Sequence, residues 1–412
     1  MDQLKLRSRS ALMGLNTEYQ RPLFEEINWD DPLIFILGPR GVGKTTLLLQ
    51  RLAVLSLPPS EALYVDLGDL HFQANRLVDF TESFIEQGGR YLFIDEVHRY
   101  GFDSWAAELK QLYDLYRNRI NIVVTGSSVV RILNKQADLS RRVLSYRLAG
   151  LSFREYLLLT EDISVPRIAL RDLLRDHVEI AANLSVRLPP LQPRLQRYWK
   201  IGYYPYFLER PVAYADRLAA SVQTVLEHDL PYATDGANID ARKIGRLMYA
   251  VASSAPFIPN IKKLSERSGI SRVSLLRYLE LLENARLILS LRKDSRGIAA
   301  LGKPDKLFLD NPNLLHALAP QQVNMGTLRE TFFLNQLSYL TQVRGLQPPE
   351  IRLPKAGDFL FRTGNEDFLF EIGGADKSFA QIGRADHHFV VADTTLTEDS
   401  RRIPLWLFGF LY

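Results

Sequence analysis

The stretch Gly38-Pro39-Arg40-Gly41-Val42-Gly43-Lys44-Thr45 fits the pattern G-x-x-x-x-G-K-[ST] at every fixed position. It lies between an apolar run, Leu33–Leu37, and an amphipathic run, Thr45–Leu55. Glycines let the backbone curl until successive N–H groups point inward at phosphate oxygens, and a following helix adds the positive end of its dipole. In such a loop Lys44 reaches the outer phosphates of a nucleoside triphosphate and the Thr45 hydroxyl binds Mg²⁺. The pattern therefore predicts ATP and Mg²⁺ as ligands, with Gly38, Pro39, Arg40, Gly41, Val42, Gly43, Lys44, Thr45 and Thr46 holding the nucleotide.

Three more short runs follow: Ala62–Val65, Tyr91–Ile94 and Ile122–Val124. Each is β-branched or aromatic and apolar on both faces, as strands of a buried parallel sheet are. Between them lie helical stretches, among them Ser104–Arg119 with Trp105, Leu109, Leu112 and Leu115-Tyr116 on one face. Alternating strands and helices predict the α/β class: a P-loop NTPase parallel sheet with helices on both faces, over residues 31–155. Residues 1–30 read as a helical lead-in. Residues 156–255 are rich in Leu and Arg and read as a helical linker broken at Pro189-Pro190, Pro193, Pro205 and Pro231. A winged-helix segment is expected over 256–312 and a small α/β nuclease-like domain over 313–412.

Asp95 and Glu96 end the run Tyr91–Ile94, at the strand end where open α/β sheets bind ligands. Asp95 is expected to hold Mg²⁺ and Glu96 to polarise the attacking water. Ile122–Val124 ends in Thr125-Gly126-Ser127-Ser128, which places Thr125 or Ser127 near the terminal phosphate. Arg141-Arg142 follows, and an arginine can stabilise transition-state charge, often from a neighbouring subunit.

Composition narrows the alternatives. With no cysteine, disulfides, zinc fingers, iron–sulfur sites and thiol chemistry are excluded. The longest apolar run is Leu247–Ala252, far short of the roughly 20 residues a membrane helix needs. Lys5, Arg7 and Arg9 lack the apolar stretch of a signal peptide. A cytoplasmic protein without a membrane partner is expected.

GPRGVGKTTLL, YLFIDEVH, VVTGSS and ADLSRRVLSYRLAGLSFREYL together resemble a family of bacterial and archaeal AAA-type P-loop ATPases. The resemblance runs over essentially the whole chain and implies ATP hydrolysis, followed by a helical linker, a winged helix and a restriction-endonuclease-like C-terminal domain. It makes Arg142 the match for the family's arginine. Arg141 stands where that family usually has glycine.

Asn260–Ile270 reads as a capped helix closed by Gly269, and Ser271 caps a second helix, Arg272–Asn284, with Leu275, Leu276, Leu279 and Leu282 inward. This is a helix-turn-helix layout, and Leu287–Leu291 and Leu307–Leu309 form a hairpin wing. Residues 257–310 carry 11 Lys/Arg against 6 Asp/Glu, a net of +5, whereas the whole chain carries +4. Arg272, Ser274, Arg277 and Tyr278 are expected on the exposed face, a fit for DNA. The alternative, implied by the resemblance to AAA-type ATPases, is a protein-docking surface or a nucleotide-sensing lid.

Gly364-Asn365 is a hairpin turn signal between Gly357–Arg362 and Asp367–Ile372. A hairpin centred there sets Asp358 opposite Glu371, a destabilising pair unless a cation or a proton lies between. A second Mg²⁺ held by Asp358 and Glu371, with Glu330 on a preceding helix, resembles a nuclease site. The lysine expected two residues after Glu371 is Gly373, so Lys377 has to reach back. The alternative is a degenerate fold kept for binding. The chain is thus expected to be a Mg²⁺-dependent ATPase coupled to DNA, with a homo-oligomer if an arginine is shared; the rival is a nucleotide-gated switch that docks a protein.

Overall fold

Leu33–Leu37 (β1), Ala62–Asp66 (β2), Tyr91–Asp95 (β3), Asn121–Gly126 (β4) and Leu144–Arg147 (β5) form one parallel sheet in the order β2-β3-β4-β1-β5. The computed structural model describes residues 1–102, 104–126, 139, 141–232, 240–294, 303–340 and 350–412. β1 is buried along its whole length because side chains of both faces meet helices. Phe35, Leu63, Ile94 and Val124 pack with Phe72, Phe84, Trp105 and Leu109 from the connecting helices. This is a P-loop NTPase fold of the α/β class. The edge of β2 is covered by the helix Asp2–Leu12, where the Ser8 hydroxyl accepts the Tyr64 amide at 3.1 Å. β5 has no counterpart in the sequence reading. It is four residues long, half exposed in alternation, and interrupted by the polar Ser145 and Arg147, so it carries no run of apolar residues.

The chain divides into two units, Met1–Ala149 with Thr224–Ile239, and Gly150–Gln223 with Asp240–Tyr412. The second unit opens with helices, as its Leu/Arg-rich sequence predicts. Phe153–Glu161 starts with a reciprocal cap between Ser152 and Glu155. Two of the expected proline breaks are not breaks. Pro193 lies in the first turn of Leu191–Ile201, where few amides have partners to lose. Pro231, in the first unit, follows a π turn, Val225–Asp229, inside the helical stretch Leu230–Tyr232. A widened turn before a proline relieves the clash of its ring with the carbonyl four residues back.

Ile261–Ser268 and Arg272–Asn284 are two helices joined by Gly269 in the left-handed conformation (φ +65°). The caps are the predicted ones: Asn260 Oδ1 accepts Lys263 N–H at 3.0 Å, and Ser271 Oγ accepts Ser274 N–H at 3.2 Å. Ile288–Leu291 (β6) and Lys306–Leu309 (β7) pair antiparallel behind them. The tip of that hairpin lies outside the described residues.

The last sheet comprises Glu350–Arg352 (β8), Phe359–Thr363 (β9), Glu366–Gly373 (β10), His388–Ala392 (β11) and Arg402–Pro404 (β12) in linear order. β8, β9 and β10 are antiparallel, whereas β10, β11 and β12 are parallel. The helix Met325–Leu340 packs on it through Phe333, whose ring lies 5.2 Å from Phe359, 5.1 Å from Phe370 and 4.7 Å from Phe408. Among the described residues, no helix is long and apolar enough to cross a membrane.

Candidate active site

The loop after β1 turns on two left-handed glycines, Gly41 (φ +83°) and Gly43 (φ +98°). Gly38 admits no side chain, since a Cβ there would lie 2.3 Å from the Leu148 carbonyl oxygen. Arg21, which the motif does not include, braces the loop by donating to Val42 O and Ala149 O at 3.1 Å each. Lys44 begins the helix Lys44–Leu55 and is buried. Its ammonium donates to the Gly38 and Pro39 carbonyls at 2.9 and 2.8 Å. Burial lowers its pKa, and the carboxylates of Glu96, Asp95 and Asp229 oppose that shift. Thr46 is exposed.

Asp95 ends β3 and is buried. Three hydroxyls donate to it: Thr45 Oγ1 at 2.6 Å and Tyr64 OH at 2.9 Å to Oδ2, and Thr125 Oγ1 to Oδ1. Thr125 also accepts the Glu96 amide at 3.1 Å, so it fixes the two acids instead of facing the nucleotide alone. Burial and the nearby Asp95 carboxylate push the Tyr64 phenol well up, so it stays a donor. Glu96 adopts a left-handed backbone (φ +53°), which is uncommon and strained for a side chain of its size. Its Oε2 lies 3.1 Å from Nε2 of the buried His98, and the same nitrogen lies 3.5 Å from Asp229 Oδ1. Asp229 in turn takes Arg40 Nη1 at 3.3 Å. The sequence reading gives no site role to Tyr64, His98 or Asp229, because they reach the site from β2, from the turn after β3 and from a segment far along the chain.

The Thr45 hydroxyl and the Asp95 carboxylate supply oxygen ligands, the donor chemistry Mg²⁺ prefers, and they already share a hydrogen bond. A buried ammonium and a glycine loop opening a helix suit polyphosphate. The residues therefore fit Mg²⁺ with a nucleoside triphosphate. Ser127 lies outside the described residues. Arg142 holds Asp114 of the helix Trp105–Tyr116 in a two-pronged pair, Nε to Oδ1 at 2.7 Å and Nη2 to Oδ2 at 3.2 Å.

Of the four residues expected on the face of Arg272–Asn284, Arg272 and Arg277 are exposed and Ser274 is half-buried. Tyr278 is not on that face. It is buried, and its hydroxyl accepts the Asp240 amide at 3.2 Å. Positions 275, 278, 279 and 282 form the inward stripe, and Leu276 is only half-buried, so the helix is turned from the expected phase.

The C-terminal hairpin keeps the predicted register: Glu366 faces Thr363, Asp367 faces Arg362 and Phe370 faces Phe359. The ladder stops one rung before Asp358 and Glu371. Asp358 Oδ2 accepts the Ile372 amide at 2.8 Å. Glu371 is buried, and the Lys377 ammonium donates to it, as does the Gln381 amide at 2.6 and 3.1 Å. Gly373 makes this possible, since a Cβ there would lie 2.5 Å from Lys377 Cγ. Glu330 is taken by Lys306 at 2.6 Å. Burial raises the pKa of both Glu330 and Glu371. Lys377 thus supplies a cation to Glu371, and Asp358 is held by the Ile372 amide. Among the described residues, no group of three or more His, Asp or Glu side chains is placed to hold a metal ion.

Residues 30–157 match a family described as an AAA domain. The AAA segment carries Gly38–Thr45, Asp95 and Glu96, and it is followed by a match of residues 192–324 to a domain of unknown function, DUF8612. Over 369 residues the chain is 26% identical to the uncharacterized protein MJ1637 of Methanocaldococcus jannaschii, covering 85% of this chain and 77% of that protein. Among solved structures, the Aeropyrum pernix ORC1 protein in complex with DNA is 13% identical with a TM-score of 0.33, covering 77% of this chain and 98% of that one. The Thermotoga maritima RuvB Holliday junction branch migration motor is 15% identical with a TM-score of 0.26, covering 74% and 90%.

Proposed function

We propose that this chain is a Mg²⁺-dependent ATPase that couples the nucleotide to DNA through its C-terminal half. The observation that carries the reading is the convergence of Lys44, Thr45, Asp95 and Glu96 at the end of one parallel sheet. The loop amides and Lys44 bind and orient the triphosphate, which pre-aligns it for in-line attack. Thr45 and Asp95 would hold Mg²⁺, whose chemistry is to neutralise charge on the phosphates. Tyr64 and Thr125 keep the Asp95 carboxylate turned toward Thr45. Glu96 accepts the proton of the attacking water as the new P–O bond forms; the bridging bond breaks and ADP leaves.

The DNA half of the reading rests on the exposed Arg272 and Arg277 of the second helix, on a segment with net charge +5. Loss of Tyr278 from that face leaves arginine–phosphate contact as its main chemistry. Phosphate release from Mg-ATP, measured with and without duplex DNA, tests the coupling. Stimulation by DNA is expected. In the R272A/R277A double variant DNA affinity falls at all sequences, and the slope of log K against log salt flattens by about 2 × 0.9. Turnover that ignores DNA, with no DNA binding at low salt, favours instead a nucleotide-gated switch docking a protein.

A further inference from the structure

We infer that the exposed face of the helix Ala241–Ala252 is a contact for an unpaired DNA strand, with Arg242 and Arg246 on its phosphates and Tyr249 stacked on a base. The inference deepens the DNA reading above and rests on it: the helix Arg272–Asn284 takes duplex, and this one takes the strand that continues from it. The sequence ARKIGRLMYAVA is amphipathic. Ile244, Leu247, Met248 and Val251 are buried, which turns Arg242, Gly245, Arg246 and Tyr249 to the opposite side. The helix carries three cations, Arg242, Lys243 and Arg246, and no acid. Among the described residues neither guanidinium is paired with a carboxylate, and no ring packs on Tyr249.

A lone exposed tyrosine is ordinary on a protein surface, and so is a lone arginine. Their arrangement here is not. Tyr249 is 69% exposed, and Arg246 and Arg242 stand one and two turns before it, within about 10 Å along the axis. Gly245 lies on the same face, one turn from both Arg242 and Tyr249. Glycine in the middle of a helix is destabilising relative to alanine. Packing does not explain this one, since a Cβ there would meet no described atom within 4 Å. The glycine leaves an open step beside the tyrosine ring, where a ligand can approach the helix backbone closely. A flat base on an aromatic ring, with cations for the neighbouring phosphates, is the chemistry by which proteins hold single strands. Duplex keeps its base faces in the stack and offers the ring nothing to lie on, so the occupant is an unpaired strand. Asp240, which caps this helix, donates its amide to the Tyr278 hydroxyl at 3.2 Å and so ties the helix to the one that carries Arg272 and Arg277. A duplex with a single-stranded overhang engages both.

The test is fluorescence anisotropy of the full chain with labelled probes: an oligothymidylate, which does not pair with itself, a duplex, and the same duplex with a thymidylate overhang. Tyr249→Ala weakens oligothymidylate binding about tenfold, and Tyr249→Phe, which keeps the ring, stays within about twofold of wild type. Duplex affinity stays at the wild-type value in both. The overhang tightens duplex binding in the wild type and not in Tyr249→Ala. R242A/R246A flattens the slope of log K against log salt for oligothymidylate by about 2 × 0.7. Gly245→Ala raises the thermal unfolding midpoint, as alanine in a helix does, and still weakens oligothymidylate binding at least about threefold. A glycine without a ligand beside it would show the first change and not the second. Oligothymidylate affinity that Tyr249→Ala and R242A/R246A leave untouched, with duplex binding still dependent on Arg272 and Arg277, overturns this inference alone. So does a parallel loss of single-strand and duplex binding in Tyr249→Ala. No DNA bound in any form at low salt rejects the DNA reading and this face with it.

Discussion

Lys44→Ala is expected to abolish ATP binding, with Kd raised at least about a hundredfold and phosphate release lost in proportion. The ammonium is buried against the Gly38 and Pro39 carbonyls, and its burial lowers its pKa. A charge held at such cost has its return when phosphate oxygens arrive, through charge-assisted hydrogen bonds. Alanine removes that donor and leaves the sheet and the helix Lys44–Leu55 in place. Titration with a fluorescent ATP analogue measures the loss, and an unchanged circular dichroism spectrum separates it from unfolding. Wild-type affinity in Lys44→Ala contradicts the assignment of the loop.

Asp310→Ala is expected to destabilise the second unit by about 3–5 kcal/mol, the penalty for leaving a buried ionic partner unpaired. Asp310 is buried at the end of β7 and lies 2.8 Å from Arg286 Nε. Arg286 follows the helix Arg272–Asn284 in a left-handed conformation, with its guanidinium 4.5 Å from the centre of the Tyr339 ring. Asn311, Asn335 and Tyr203 complete the cluster at 3.2, 3.3 and 3.4 Å from Asp310 Oδ2. The pair therefore ties the end of the second helix to the base of the hairpin behind it. Thermal unfolding of the variant should show a midpoint lower by roughly 10 °C. A midpoint within a degree or two of wild type removes the pair from the account of what fixes that helix.

What was legible in the sequence was local. Gly38–Thr45, the buried run Tyr91–Ile94 with its two acids, the caps Asn260 and Ser271, and the hairpin register from Gly364-Asn365 each depend on residues close together in the chain. What was hidden depends on contacts between distant positions or on the phase of a helix. Asp229 lies 189 residues from Arg40. Tyr64 looks like an ordinary strand residue, and Thr125 like a contact for the terminal phosphate, until β2, β3 and β4 stand side by side. Tyr278 was misplaced because Leu275, Leu276, Leu279 and Leu282 fit one helical face almost as well as the true stripe, and burial alone separates the two. Glycine at position 373 looked like a missing catalytic lysine. It is the opening through which Lys377 reaches Glu371.

The most direct test of the central claim is phosphate release from Mg-ATP by Glu96→Gln beside the wild type, with the bound nucleotide identified. Glutamine keeps the size of the side chain and loses the base, so release should slow by at least about a hundredfold. ATP, not ADP, should remain on the protein. Release at the wild-type rate would contradict the assignment of Glu96 as the residue that accepts the proton of the attacking water.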